Sequence, residues 1–125
     1  MKYYKCHVAH IKKTRLVFQD CNIADDCVME IAASLLQIEN FTLEELDLSN
    51  NMISDFGCKH IAAILMKTKL KKVNLSGNIM IDKDGLKEIT SSIRKNAHIE
   101  QIDLKNCGID LEGATCWQEI MEDIS

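Results

Sequence analysis

The chain has 125 residues, about one domain's worth, and a formal net charge of −4 from 15 basic and 19 acidic side chains, which disfavours a basic nucleic-acid or membrane-surface module. With 46% hydrophobic and 27% charged residues it can bury a core and is not a disordered tail. Proline is absent and aromatics make up only 5%, two features that the fold has to explain.

At the N-terminus, Met1 to His7 lacks the unbroken apolar region of a secretory signal. No later stretch approaches the roughly 18 apolar residues of a membrane span, the richest run being Ile61 to Met66. A cytoplasmic protein with no membrane partner is expected. Tyr4, Val8 and Ile11 recur at helical spacing, which predicts a short helix over residues 3 to 11 within a flanking segment, 1–12, that covers the open side of the first repeat. Cys6, His7 and His10 are ligand types, yet no second ligand pair follows at zinc-finger spacing, so no metal is expected there.

From residue 13 the chain repeats. Lys13-Thr14-Arg15-Leu16-Val17-Phe18-Gln19-Asp20-Cys21 returns as Leu43-Glu44-Glu45-Leu46-Asp47-Leu48-Ser49-Asn50-Asn51, then as Leu70-Lys71-Lys72-Val73-Asn74-Leu75-Ser76-Gly77-Asn78, and again as Ile99-Glu100-Gln101-Ile102-Asp103-Leu104-Lys105-Asn106-Cys107. Each copy is a strand by its alternation, and each is followed by a second shared half. Ile23-Ala24-Asp25-Asp26-Cys27 leads to Ile31-Ala32-Ala33-Ser34-Leu35, and Ile53-Ser54-Asp55-Phe56-Gly57 leads to Ile61-Ala62-Ala63-Ile64-Leu65. The third copy carries one extra residue before Gly85 and then places Ile89 and Ile93, and the fourth has Gly113, Trp117, Ile120 and Met121. The units run over about 13–42, 43–69, 70–98 and 99–125.

This pattern resembles the leucine-rich repeat, and its unit length with a helical second half is similar to the ribonuclease-inhibitor type, which is also found in Ran GTPase-activating proteins and nucleotide-oligomerisation receptors. It departs at Lys13, where a leucine is expected, and at the extra residue within Ile79 to Asp84. The resemblance implies an α/β solenoid: a short right-handed β-α superhelix with a parallel sheet on its concave face and helices on its convex face. It further implies that the Asn51 amide bonds loop backbone groups of neighbouring units, forming a ladder in which cysteine stands at both ends, at Cys21 and Cys107.

Elementary physics fits that picture. Alternation sends Leu46 and Leu48 to one face and Asp47 to the other. Asp25 or Asp26, Ser54 or Asp55, Asp82 or Asp84, and Asp110 read as helix N-caps. Ile61, Ile64 and Leu65 form a buried helical stripe. About five inward apolar residues per unit, at roughly 1.5–3 kcal/mol each, do not balance the ordering entropy of one unit, so units must stack. Interior parallel strands need every N–H, which proline would remove, and thin layers are filled by branched aliphatics rather than large rings. The six cysteines are separated by long periodic segments and read as reduced thiols. The last unit carries no polar cap, so the expectation is either that the array continues in a longer chain or that an exposed edge self-associates.

The outward strand positions make two rows: Arg15, Glu45, Lys72 and Gln101, and then Val17, Asp47, Asn74 and Asp103, with Lys105 beyond. These rows keep like charges apart, and they are the candidate protein-binding residues. Four such strands give about twelve outward side chains against roughly 20–30 per side in a standard interface, so the adjoining loops are expected to join in. Asp82-Lys83-Asp84-Gly85 lacks the bidentate glutamate of a calcium loop. No phosphate loop or nucleophile motif occurs, and Arg15 and Arg94 do not match the loop arginine that the Ran branch implies. The expectation is a non-catalytic scaffold without cofactor that binds a protein partner and no nucleic acid. The alternatives are a piece of a longer receptor-type array and, behind that, a small-GTPase regulator.

Overall fold

The computed structural model describes residues 14–37, 42–95 and 98–110, together with Gly113, Thr115, Trp117, Gln118 and Glu122. The helix expected over residues 3 to 11, the ligand types within it, and Ile120 and Met121 lie outside the described residues. Strands and helices alternate strictly: β1 (Arg15–Val17), α1 (Asp25–Leu36), β2 (Glu45–Asp47), α2 (Asp55–Lys67), β3 (Lys72–Asn74), α3 (Lys83–Lys95) and β4 (Gln101–Asp103). Gly113, Thr115, Trp117, Gln118 and Glu122 are helical as well.

The four strands form one parallel sheet in the order β1-β2-β3-β4. Its register aligns Leu16, Leu46, Val73 and Ile102 on the inner face, each of them buried. Phe18, Leu48 and Leu75 continue that layer inward, and Ile23, Ile53 and Ile81 close the strand-to-helix side without exposure. The helices cover it with Val28, Ile31 and Leu35 from α1, Ile61, Ile64 and Leu65 from α2, and Leu86, Ile89 and Ile93 from α3. The expected stripe of α2 is thus buried in full. Helices pack on their sequence neighbours, α1 on α2 and α2 on α3, as a stack of thin layers requires.

Turn chemistry repeats with the strands. Asp20, Asn50, Gly77 and Asn106 occupy the same place in successive units, and each has a left-handed φ between 55° and 78°. Asparagine, aspartate and glycine are the residues that take this conformation at least cost. At Gly77, where φ is 78°, a Cβ would also lie 2.0 Å from the Asn50 side-chain oxygen, so any other residue would have to push that side chain aside. The residue inserted in that unit is taken up by a turn closed from the Ile81 N–H to the Asn78 carbonyl, 3.1 Å. Ile81 thereby regains the buried place that Ile53 holds, and Met80 makes an isolated parallel bridge to Ser54.

Asn51 and Asn78 are buried between units and form the expected ladder. The Asn51 oxygen accepts from the Cys21 and Ile23 N–H groups at 2.9 and 3.0 Å, while its nitrogen donates to the Phe18, Leu48 and Ser49 carbonyls. Asn78 accepts from the Ile53 N–H and donates to the Leu48 and Leu75 carbonyls. At the end position, Cys107 donates its thiol to the Leu75 carbonyl at 3.2 Å, one weaker bond in place of several.

Ser54 and Asp110 serve as the expected N-caps, whereas α1 departs from the expectation. Ala24 holds the N-cap place of α1 without a side-chain bond, and Ser54 caps α2 by accepting from the Phe56 N–H. Asp25 and Asp55 instead reach into the next unit. The Ser54 N–H and hydroxyl both donate to the Asp25 carboxylate, and one Asp55 oxygen accepts from the Asp82 and Gly85 N–H groups at 2.8 and 2.9 Å. The approach is possible because glycine stands opposite: a Cβ on Gly85 would fall 2.6 Å from that Asp55 oxygen, and one on Gly57 2.4 Å from Asp25. A carboxylate on these orphan N–H groups also meets the positive end of the next helix. In the last unit the cap is local, where the Gly113 N–H donates to Asp110.

Candidate functional site

Eight of the nine candidate residues come together as two registered rows on the outer face of the sheet. In the first, Glu45 lies between two cations: its carboxylate is 3.3 Å from Arg15 Nε and 3.6 Å from Lys72 Nζ. All three side chains stay one-third to one-half exposed, so each pair contributes less than about 1 kcal/mol and yields easily to a partner. Gln101 is exposed at the end of this row.

The second row has local duties that the sequence reading missed. Asp47 is only 8% exposed. One of its oxygens accepts from the Ser49 N–H and hydroxyl at 2.9 and 2.6 Å, and the other lies 3.9 Å from Arg15. Asn74 does the same for Ser76, and Asp103 accepts from the Lys105 N–H. Each is an acceptor that ends its strand in a tight turn. The signal was present as Asp47-Leu48-Ser49, Asn74-Leu75-Ser76 and Asp103-Leu104-Lys105, an acceptor two residues before the N–H it binds. Val17 has no acceptor and is half-buried. Lys105, the ninth residue, is exposed just past β4.

Between the two rows lies a depression of about 140 Å³ lined by Arg15, Glu45, Asp47, Lys72, Asn74 and Asp103, among others. Drug-sized ligands fill roughly 300–1,000 Å³, so this face suits side chains of a macromolecule better than a small molecule. A larger hollow of about 440 Å³ opens beside β4, lined by Ile102, Leu104, Ile109 and Trp117 among others.

Cys58 and Cys107 are free thiols. Burial pushes the Cys58 thiol up to about 12, and the nearby Asp55 carboxylate adds to the effect; burial raises Cys107 as well. A nucleophilic thiol requires the opposite shift. The consequence for stability has a definite sign. The unfolded Cys58 thiol loses its proton near 9.0 while the folded one holds it to about 12, so the folded state binds more protons across that window and stability falls as pH rises through it. In denaturant titrations from pH 8 to 11, the parent chain is expected to lose up to about 1.4 kcal/mol per pH unit above 9 relative to Cys58→Ala. Parallel curves would contradict this. His60 is half-buried on α2 and His98 is exposed, and no group of three metal-ligand side chains occurs among the described residues. No helix among them is long and apolar enough to cross a membrane.

A sequence model of the leucine-rich repeat matches residues 39–62, 67–89 and 95–116, more than half of the chain, and each match spans one strand-to-helix unit. The chain belongs to the leucine-rich-repeat family. Among solved structures, the one titled "Leiomodin-1 Actin-Binding Site 2 (ABS2)" superimposes with a TM-score of 0.76 over 95% of this chain and 69% of that one. At 16% identity that likeness is one of fold. No curated protein matches by sequence. The leucine-rich-repeat frame explains why the rows are straight: one residue per unit, in register, places Glu45 between Arg15 and Lys72.

Proposed function

We propose that this leucine-rich-repeat chain is a non-catalytic interaction module, of the ribonuclease-inhibitor-like kind, that holds a protein partner on its concave sheet and adjoining loops. The observation that carries this reading is the exposed, evenly spaced row of Arg15, Glu45, Lys72 and Gln101, whose ion pairs are weak enough to exchange for a partner's. The two raised thiols and the small size of the central depression favour binding over chemistry. The unit length and the helical second half of the units support the subtype. The free thiols of Cys58 and Cys107 support a reducing, cytoplasmic setting.

The experiment is capture of a partner by the immobilised chain, with monomeric actin as the first purified probe, because the leiomodin-1 structure is titled as an actin-binding site. Lys72→Glu with Lys105→Glu should reduce retention about tenfold, whereas Lys87→Glu on the exposed side of α3 should not. Asp47 and Asp103 are poor choices for charge reversal because their turns depend on them. Retention that ignores both concave substitutions would refute the site. A second contact, with another copy of the chain, is supported by the hollow beside β4, where Leu104, Ile109 and Trp117 stand among polar side chains; sedimentation with Trp117→Ala tests it.

A further inference from the structure

Four of the large apolar side chains exposed among the described residues, Met52, Phe56, Ile79 and Met80, fall on the strand-to-helix side of the two middle units. Scattered exposed apolar residues are ordinary, but a cluster is not. Phe56 is 71% exposed and Ile79 74%. The register of the repeats places them together. Met52 and Ile79 each follow a ladder asparagine, Asn51 or Asn78, and polar or small residues, Asn22 and Gly108, hold that place in the outer units. Phe56 is the second residue of α2, and the same place is Asp26 in α1 and Asp84 in α3. The Met80 bridge to Ser54 ties the two loops side by side.

Carboxylates surround this patch. Asp26, Asp82, Asp84 and Asp110 are all exposed along the same edge. Against them stand Lys83 and Lys59, and the Lys59 ammonium sits over the Phe56 ring, 5.6 Å from its centroid.

We propose that this loop edge is a docking site for an amphipathic helix whose apolar stripe is flanked by lysine or arginine. Neighbouring units stand about 4.8 Å apart at the sheet, close to the 5–6 Å between residues i and i+3 or i+4 on a helix, so successive apolar residues of such a helix meet Met52 and Ile79 in turn. Two methionines and a phenylalanine give a surface that adapts to different apolar side chains. The aspartates on both sides select the sign of the flanking charge, and they disfavour an anionic membrane as occupant. The site goes beyond the concave-face reading and does not depend on it.

The test uses the whole chain and a fluorescein-labelled peptide of about 18 residues with leucine on one face and lysine on the other. Its twin carries glutamate in place of lysine. Anisotropy should show the lysine peptide binding at least about 30-fold more tightly than the twin. Met52→Ser with Phe56→Ser should weaken it about tenfold or more. Asp84→Lys should weaken it about threefold and flatten its salt dependence, while Lys72→Glu should leave it unchanged. Equal binding of the two peptides, indifference to the double serine variant, or loss on Lys72→Glu would overturn the proposal. Self-association of the free chain that Phe56→Ser abolishes would overturn it too, by giving the patch to a second copy.

Discussion

Replacing Asn51 with alanine is expected to lower the unfolding free energy by about 3–5 kcal/mol, the largest effect of any single polar substitution in the described units. The side chain is buried and serves five backbone groups: it accepts from the Cys21 and Ile23 N–H groups and donates to the Phe18, Leu48 and Ser49 carbonyls. Alanine has no polar side-chain atom, and a buried backbone group left without a partner costs about 1–3 kcal/mol. The Leu48 and Ser49 carbonyls keep the Asn78 amide and the Asp20 N–H as donors, so the cost is well below that of five stranded groups. A domain of this size is stable by about 5–15 kcal/mol, so roughly a fifth or more of the total is at stake. Asn51→Asp should be nearly as damaging, because a carboxylate still accepts from Cys21 and Ile23 but faces three carbonyl oxygens with no proton to offer. Urea denaturation followed by circular dichroism measures both; a loss below about 1 kcal/mol for Asn51→Ala would contradict the ladder's role.

Leu48→Ala is expected to cost about 2–5 kcal/mol, by lost burial and by the cavity left behind. Leu48 is fully buried in the inner layer between Phe18 and Leu75, and the thinness of that layer limits how far neighbours can collapse into the gap. Its carbonyl also receives bonds from the Asn51 and Asn78 nitrogens. Alanine at 48 keeps that carbonyl, but the two residues sit in one tightly bonded loop and relax the same backbone, so the double variant Leu48→Ala, Asn51→Ala should lose less than the sum of the singles. Phe56→Ala is the contrast: an equally apolar but exposed side chain, whose loss should stay within about 0.5 kcal/mol. The same urea titrations give all four numbers, and a Phe56→Ala cost equal to that of Leu48→Ala would contradict the placement of the core.

How much of this was legible in the sequence depends on the range of each interaction. The inner rows were legible because alternation fixes a side chain's face with no knowledge of its neighbours, so Leu46 and Val73 could be assigned from their own strands. The Asn51 ladder came from family resemblance, and its geometry agrees with that. The caps failed where the bond is long-range. Asp25 and Asp55 open their helices and look like local caps, yet their carboxylates bond the next unit, 27 to 30 residues on. Local capping rules see only the first three or four residues of the same helix. The glycines at 57 and 85 were the available clue, since each removes the Cβ that would block the neighbouring carboxylate.

The candidate site was legible as a set of positions but not as a set of roles. Both rows came from strand register alone. What register does not show is that Asp47, Asn74 and Asp103 are already engaged by their own turns, which divides the face into a structural row and an exchangeable row. The extra residue in the third unit was visible as a length difference. Its physical result, a turn at Asn78 to Ile81 that holds Met80 against the second unit, depended on the bridge to Ser54.

The central claim, that a protein partner is held on the exposed row of the sheet, is tested most directly by site-specific photocrosslinking. A photoreactive side chain is placed at Lys72 on the sheet, and in a second variant at Lys87 on the exposed side of α3, with the whole chain expressed in cells. The account predicts a discrete protein adduct from position 72 that Lys105→Glu weakens, and none from position 87. An adduct from position 87 alone would contradict it.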